Sequence, residues 1–418
     1  MTETSMFNIF IMMNPNVVDM TRTSPVLAPR CAAADVVERI RDLHPLISGN
    51  SADGERNRRL SQTTVDALQE VGAFKIAVPA RLGGLELSVR DQLDVIAAIA
   101  EADGSAAWVT VLYAQSAWTM GTESEEDQHE VFAADPDARM SGILSPSARA
   151  TPVDGGWRLT GRGYSATGCS HATWIAVNSY LLDDAGEVVG LGTLRTPIQD
   201  VTIEDTWFVS GMRGTASNCA VWDDVFVPAN RMSPMARFIE GDYPTPFKDE
   251  VLYRAPLSSV LLTLMLGPQL GLGKAALEFV VSKVGKAIAY THFQAQSEST
   301  GFQIQIARAA TLLETARLHA YRAAERLGEW SEQDHYPNLL ERASIRTHVS
   351  ATLESTNEAI NMLLFAHGAG SFAESNPLQR IWRDSNAVAR HAFSLPEVNY
   401  ETYGKALLGI EEQISPLV

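Results

Sequence analysis

Cysteine is scarce in this sequence. The 418 residues include three cysteines, Cys31, Cys169 and Cys219, which are far apart and form no CxxC pair. This spacing argues against a disulfide scaffold and favours a reducing, cytoplasmic location. The nine histidines show no HExxH motif and no other spacing typical of metal ligands, so we predict no metal site.

Basic residues are also in the minority. The chain has 33 lysines and arginines against 50 aspartates and glutamates, which gives a formal net charge of −17. Such a chain is a poor partner for nucleic acid or for anionic membranes, and we predict neither. A small anionic ligand held by a few local arginines is compatible with this balance.

Long uninterrupted hydrophobic runs are missing. The run from Leu257 to Leu272 is broken by Gly267-Pro268-Gln269, so we predict a buried helix and no membrane span. The apolar stretch Met6 to Met13 follows Glu3 with no preceding lysine or arginine, unlike a secretory signal. We predict residues 1–33 as a disordered extension. No GxGxxG motif opens a βαβ unit, so no NAD(P)H-binding fold is predicted.

Apolar periodicity divides the rest of the chain into three regions. Residues 34–137 carry helical patterns, with Ser61 and Ser105 predicted as N-caps. Residues 138–250 carry short strand patterns separated by turn residues, and residues 251–418 return to the helical period. We predict an α+β fold that is mostly α, with an N-terminal helical domain, a central antiparallel β domain and a C-terminal helical bundle. The candidate strands are Trp157–Thr160, Trp174–Leu182, Val189–Leu194, Val201–Trp207 and Ala220–Val227.

The most informative stretch, Asn376 to Asp384, lies near the C-terminus. Arg380 and Arg383 are one helical turn apart, and His391 follows eight residues later, so a continuous helix can place all three on one face. Upstream, the glycines of His367-Gly368-Ala369-Gly370 permit close backbone approach to a ligand. The same pattern is also compatible with a solvated arginine face and a core histidine.

Helices, a compact β region and a helical bundle, in this order, resemble the acyl-CoA dehydrogenase superfamily over roughly residues 34 to 415. The motifs that carry the resemblance are Val78-Pro79 with Gly83-Gly84-Leu85, Gly161 to Gly168, Gly211 to Ser217, and Arg383-Asp384. The resemblance implies the three-part fold and a homotetramer.

The carboxylate base of the dehydrogenases is missing. The position that usually holds it in the superfamily, nine residues after Arg383, is Ala392. No acidic residue occurs between Glu250 and Glu278, where the alternative base is expected. Because an alanine cannot remove an α-proton, dehydrogenation is disfavoured.

The neighbouring residue, His391, points to another branch of the superfamily. Arg-Asp followed by a histidine at this distance resembles the flavin monooxygenases of this fold, as does the Gly-x-x-His-x-x-Trp pattern of Gly168, His171 and Trp174. That resemblance implies reduced FMN or FAD from a separate NAD(P)H:flavin reductase, a transient partner. It also implies O2 as cosubstrate and a C4a-hydroperoxyflavin that passes oxygen to a small-molecule substrate.

The residue types suit this chemistry. Imidazole titrates near neutrality, so we predict that His391 is the catalytic residue that takes the substrate proton. An aromatic-lined pocket is required to keep water from the reactive flavin, and Trp108 and Tyr113 are candidates for its walls. Both are equally compatible with core packing, and His171 is equally compatible with a structural role. The predicted cofactor-binding residues are Thr167, Gly168, Trp174, Gly368, Gly370 and Arg380, and the predicted substrate-binding residues are Trp108, Tyr113 and His171.

The substrate class stays open. Within the monooxygenases, the stretch Asn376 to Arg380 most resembles the amino-sugar nitrososynthases of antibiotic biosynthesis. These enzymes oxidise the amine of a nucleotide-linked deoxysugar, whose diphosphate requires basic groups. The candidates for those groups are Arg231, Arg237, Lys248 and Arg254. The alternatives are an aromatic ring hydroxylase of the same family, an acyl-CoA dehydrogenase and a non-catalytic binding protein.

Overall fold

The computed structural model describes residues 32–133, 135–415 and 417–418. Residues 1–31 of the predicted extension lie outside these ranges. Helix α1 begins at Ala32 and therefore includes the last two residues of that extension. The larger hydrophobic core is shared by the N-terminal and C-terminal helices, and the sheet has a smaller core of its own.

The N-terminal region is helical. Its helices are α1 (Ala32–Asp42), α2 (His44–Asn57), α3 (Gln62–Glu70), α4 (Val89–Ala102), α5 (Gly104–Gly121) and α6 (Glu125–Phe132). The predicted cap Ser61 accepts the N–H of Thr64 at 3.2 Å. The predicted cap Ser105 is wrong, because Asp103 caps α5 by accepting the N–H of Ala106. The hydroxyl of Ser105 instead accepts the N–H of Gly214 in the β region.

Seven strands form a single sheet within the described residues, in the order β5-β6-β2-β1-β3-β4-β7. They are β1 (Met140–Val153), β2 (Gly156–Ala166), β3 (Trp174–Leu182), β4 (Val188–Pro197), β5 (Thr202–Glu204), β6 (Asn218–Pro228) and β7 (Met232–Pro234). The prediction of a wholly antiparallel region is wrong at one place, because β1 and β3 are parallel. β2 occupies one edge of β1 as a hairpin, so the chain crosses over and adds β3 to the other edge.

Strand β1 was missed in the sequence and contains an irregularity. Its pairing with β3 steps from Ile143 opposite Val177 to Ala148 opposite Ser179. Residues 144–147 therefore leave the ladder as a bulge, and the amide of Asn178 donates to the carbonyl of Leu144 at 2.6 Å. Bulges of this kind redirect side chains towards sites.

The C-terminal region is a bundle. After α7 (Met235–Glu240) come α8 (Leu257–Leu264), α9 (Leu266–Val281), α10 (Thr300–Glu332), α11 (Leu339–His367), α12 (Pro377–Val388) and α13 (Pro396–Leu407). One stretch of the described chain, Leu257–Val281, is long and apolar enough to span a membrane. Since 72% of an apolar 18-residue window within this stretch is buried inside the molecule, the stretch belongs to the core, as predicted. The predicted α+β, mostly helical fold is confirmed.

Candidate active site

A cavity of about 740 Å³ lies between the sheet, helices α5 and α8, and the segment that follows α12. Much of its lining is apolar and includes Met120, Met235, Phe238, Leu257, Leu261 and Met265. No aspartate or glutamate of the described chain lines it, and Ala392 stands in the wall. The cavity therefore lacks the carboxylate base that α,β-dehydrogenation requires.

His391 lines this cavity, but it is not on the helix that carries Arg380 and Arg383. Helix α12 ends at Val388, and after three residues the chain forms the short 3-10 segment Ala392–Ser394. His391 precedes that segment, and its Nδ1 accepts the N–H of Phe393 at 3.3 Å. The expected continuous helical face is thus wrong, and the structure places the imidazole at the cavity wall.

The environment of His391 determines where its proton sits. Burial lowers the pKa of the imidazole, so the ring is neutral at pH 7. Because Nδ1 accepts a hydrogen bond, the single proton of the neutral ring is on Nε2. Nε2 makes no hydrogen bond within the described part of the chain, so it is left to donate to a ligand. This differs from the predicted role, since a nitrogen that already carries a proton cannot take another without a change of tautomer.

Trp108 also lines the cavity and packs on His391. The two ring centroids are 5.6 Å apart and the ring planes are tilted by 58°. Trp108 is 7% exposed and lies on α5, a helix that is buried on almost every side. The structure therefore brings together at one cavity two residues that were predicted separately, Trp108 for the substrate and His391 for catalysis.

Thr167 lines the cavity at the end of a chain of hydroxyl groups. Its Oγ1 lies 2.7 Å from Oγ of Ser217, which lies 2.7 Å from Oγ1 of Thr215. Thr215 donates to the carbonyl of Met212 at 2.9 Å. Because a carbonyl can only accept, the hydroxyl proton of Thr215 is used in this hydrogen bond. Ser217 must therefore donate to Thr215, and Thr167 must donate to Ser217. The Thr167 oxygen is left as a hydrogen-bond acceptor towards the cavity.

These groups fit a reduced flavin ring, which presents several N–H donors between two broad apolar faces. Thr167 offers the acceptor, and Ser147 in the β1 bulge has a buried hydroxyl without a partner in the described residues. Such an orphan group is expected where a ligand completes the hydrogen bonding. When bound, the reduced flavin supplies the electrons that activate O2.

Two predicted residues beside Thr167 serve the scaffold. Tyr113 is 2% exposed and donates its hydroxyl to the carbonyl of Gly168 at 2.7 Å. The N–H of Gly168 donates to the carbonyl of Thr215 at 2.8 Å, so neither backbone group of Gly168 is left for a flavin. Gly168 has φ 75°, a conformation that favours glycine. Tyr113 and Gly168 therefore hold the Thr167 turn and do not line the cavity.

The remaining predicted residues also lie outside the cavity. Nε2 of His171 is 3.1 Å from the carbonyl of Leu60, and the ring of Trp174 lies beneath the guanidinium of Arg231 at 5.0 Å. The structure places the other three in the loop after α11 and on α12: Gly368, Gly370 and Arg380. These three residues do not line the cavity, and their cofactor-binding roles stay predictions.

Two features of the site escaped sequence analysis. The β1 bulge contributes Leu144 to Ser147, which lie outside the candidate strands of the sequence. Arg195 lines the cavity while 3% exposed, and its Nη1 lies 2.6 Å from Oε1 of Glu123. These partners are 72 residues apart, so no local pattern announces them.

The proposed diphosphate-binding residues do not face the cavity. Arg231 pairs with Glu130, with its Nε 2.9 Å from Oε1. Lys248 donates from Nζ to the carbonyl of Tyr243 at 2.7 Å. The cavity lining includes none of the four candidates, which are Arg231, Arg237, Lys248 and Arg254.

Comparison with known proteins identifies the family. A family model described as acyl-CoA dehydrogenase, C-terminal domain, matches residues 264–396. The flavin-dependent monooxygenase oxygenase subunit HsaA of Mycobacterium tuberculosis is 30% identical over 383 residues, which are 90% of this chain and 96% of the relative. The chain belongs to the oxygenase components of flavin-dependent monooxygenases. The predicted enzyme class is therefore confirmed.

Other members of the family agree. The oxygenase component of the FADH2-dependent resorcinol hydroxylase of Rhizobium sp. is 30% identical, and the match covers 90% of this chain and 94% of the relative. The structure of XiaF from Streptomyces sp., in complex with FADH2 and glycerol, has 32% identity and a TM-score of 0.88. That match covers 92% of this chain and 98% of XiaF. The predicted use of reduced FMN or FAD is confirmed, and the family implies a flavin reductase as partner.

The predicted closeness to the nitrososynthases is weaker than expected. KijD3, solved with FMN and a dTDP-linked 3-amino-4-keto sugar, is 21% identical with a TM-score of 0.78. The match covers 94% of this chain and 97% of KijD3, and at this identity it shows a shared fold alone. The homotetramer and the cytoplasmic location stay predictions.

Proposed function

We propose that this oxygenase component hydroxylates the ring of a phenol-type aromatic compound. The observation that carries the proposal is the cavity lining, which has broad apolar walls beside the Nε2–H of a neutral His391. A phenol oxygen accepts that hydrogen bond while the ring occupies the apolar part. The hydrogen bond also favours the phenolate, whose ring carbons are more nucleophilic.

The charges around the cavity favour a neutral aromatic over a nucleotide-linked sugar. Two guanidinium groups line it, Arg195 and Arg390. Arg195 is compensated by Glu123, and Asp127 lies 3.6 Å away. Arg390, which follows α12, is exposed and donates to the side chain of Asn386 on that helix. A diphosphate needs uncompensated cations to replace its water, and these walls offer little of that kind.

The overall reaction balances with the partners of this family. One atom of O2 enters a C–H bond of the ring to give a hydroxyl group, and the other leaves as water. The two electrons and the protons come from the reduced flavin that the reductase supplies. The protein's own contribution is to hold the ring, to donate from His391 and to exclude water by apolar walls.

The test combines the purified chain with a flavin reductase, NADH, FAD or FMN, and ¹⁸O2. A panel of phenols is compared with a dTDP-linked amino sugar, and products are identified by mass spectrometry. We expect one ¹⁸O atom on a ring carbon of at least one phenol. The control without organic substrate should yield hydrogen peroxide alone. Oxygen on the sugar nitrogen with no phenol product would replace this proposal, and oxygen consumption equal to that of the reductase alone would indicate a non-catalytic protein.

A further inference from the structure

The segment after α13 returns to the active-site cavity. Helix α13 ends at Leu407, Gly409 turns the chain with φ 69°, and Leu417 lines the cavity. We propose that Leu417 is a specificity-determining residue, a wall against which the substrate ring packs, held in place by two arginines of α11. The inference deepens the proposed ring hydroxylation and rests on it.

The two arginines form a built anchor. Arg342 and Arg346 are four residues apart on α11, so their side chains project from one face. Nε of Arg342 donates to the carbonyl of Val418 at 2.9 Å, and Nη2 of Arg346 donates to the carbonyl of Leu417. Two consecutive carbonyls of the returning segment are thus held by neighbouring guanidinium groups, which fixes the position of Leu417.

Arg346 needs this contact, because it is buried without a nearby counter-charge. It is 2% exposed, and its other hydrogen bond goes to Oδ1 of Asn399 at 2.9 Å. No carboxylate of the described chain bonds or pairs with it, and burial lowers its pKa to about 10. A buried guanidinium without carbonyl acceptors is costly, so the docked segment is favoured over a detached one.

Leu417 lies beside several of the apolar residues that line the cavity. A smaller void beside the cavity is bounded by Leu417, Val418, Phe238, Leu257 and Phe393, and neither Thr167 nor Ser217 borders it. The anchor also contacts the turn that holds His391, because the guanidinium of Arg346 lies 5.4 Å from the ring centroid of Phe393. Phe393 in turn donates its N–H to His391. Leu417 therefore stands on the substrate side of the cavity, away from the hydroxyl chain that fits the flavin.

Several described residues that precede Leu417 in this segment are exposed, so Leu417 can be replaced with little effect on the bundle. Ile414, three residues earlier, is 43% exposed and does not line the cavity. Its neighbours Glu411 and Glu412 are exposed as well. A change of side chain at 417 should alter the cavity without disturbing the bundle, and Ile414→Ala provides a matched control in the same segment.

The experiment measures kcat/KM of the reductase-coupled full chain for phenol and for phenols with larger alkyl substituents. Leu417→Ala should raise the ratio of large-substrate to small-substrate kcat/KM by about tenfold or more, because pocket discrimination changes by that amount per methylene-sized difference. Leu417→Trp should shift the ratio in the opposite direction. The Kd for reduced flavin should stay unchanged in both variants, and Ile414→Ala should match the wild type in every measurement.

Unchanged ratios in both Leu417 variants would overturn the inference, as would a loss of reduced-flavin binding that parallels the loss of activity. A second measurement separates this from failure of the proposed function. Binding of unreactive alkylbenzenes is followed by perturbation of the absorbance of bound oxidised flavin. If the wild type hydroxylates no phenol, the proposed function fails. The proposal that Leu417 forms a wall is then supported if the largest alkylbenzene that binds differs between the wild type and the Leu417 variants, and overturned if it does not.

Discussion

Replacing His391 by asparagine should remove hydroxylation while leaving the turn intact. The ring nitrogen Nδ1 accepts the N–H of Phe393, and an asparagine carbonyl can make the same type of contact at such a position. Asparagine lacks the Nε2–H that is left for the substrate. Losing a positioned proton-transfer or hydrogen-bonding group at a reacting centre lowers rates by roughly 10²- to 10⁴-fold. We expect a loss of ring hydroxylation in that range.

The structure also sets the expected cost in stability. Both His391→Asn and His391→Ala lose the ring contact with Trp108 at 5.6 Å, worth about 0.5–1.5 kcal/mol. His391→Ala additionally leaves the N–H of Phe393 without its acceptor, which costs about 1 kcal/mol more. The free energy of unfolding should therefore fall in the order wild type, Asn, Ala, while the two variants should be equally deficient in hydroxylation.

The assay pairs urea unfolding with product and peroxide yields per O2 consumed, in the reductase-coupled reaction. Reduced-flavin binding should be retained, and oxygen should be diverted to hydrogen peroxide. Hydroxylation that falls in proportion to stability, and so further in the alanine variant than in the asparagine variant, would show that His391 is structural. An asparagine variant with wild-type coupling would show that another group contacts the substrate oxygen.

Three further predictions follow from buried polar groups. Glu123→Gln should lower the free energy of unfolding by about 3 kcal/mol in urea titration, because it leaves the charge of buried Arg195 poorly compensated. The control Glu126→Gln, at an exposed position, should change the free energy of unfolding little, and equal effects of the two variants would contradict the reasoning. Burial, with the nearby His319, lowers the pKa of His348 from 6.5 to about 4, so protonation favours the unfolded chain and stability is lost as pH falls from 6.5 to 4. His348→Gln should flatten the decline of Tm over that pH range, and an unchanged slope would refute the assignment. Thr167→Val should weaken reduced-flavin binding about tenfold, since it removes the acceptor for an N–H of the flavin, whereas Thr167→Ser should bind reduced flavin normally. Equal weakening of the binding of reduced and oxidised flavin by Thr167→Val would contradict the assignment of Thr167 as an acceptor.

Local pattern was enough to predict much of the scaffold. Ser61 caps its helix as expected, since a cap depends on four consecutive residues. Helix α10 lies in the region predicted as helical, and its Ala316, Ala320 and Ala323 are fully buried, because helical periodicity records which face meets the core. The absence of a carboxylate at Ala392 likewise disfavoured dehydrogenase chemistry from the sequence alone. Each of these properties is carried by residues close together in the chain.

The tertiary structure decided what depends on distant contacts. The end of α12 at Val388 and the tautomer of His391 follow from a backbone turn that periodicity does not record. Tyr113 was expected at the substrate and supports the Thr167 turn instead, because only folding brings its hydroxyl to a carbonyl 55 residues away. The β1 bulge, the Arg195–Glu123 pair and the docking of Leu417 on α11 have the same origin. The sequence alone thus determined the fold and the enzyme class, whereas the shape and charge of the cavity arose from contacts between segments that are remote in the chain and become neighbours only when the core forms.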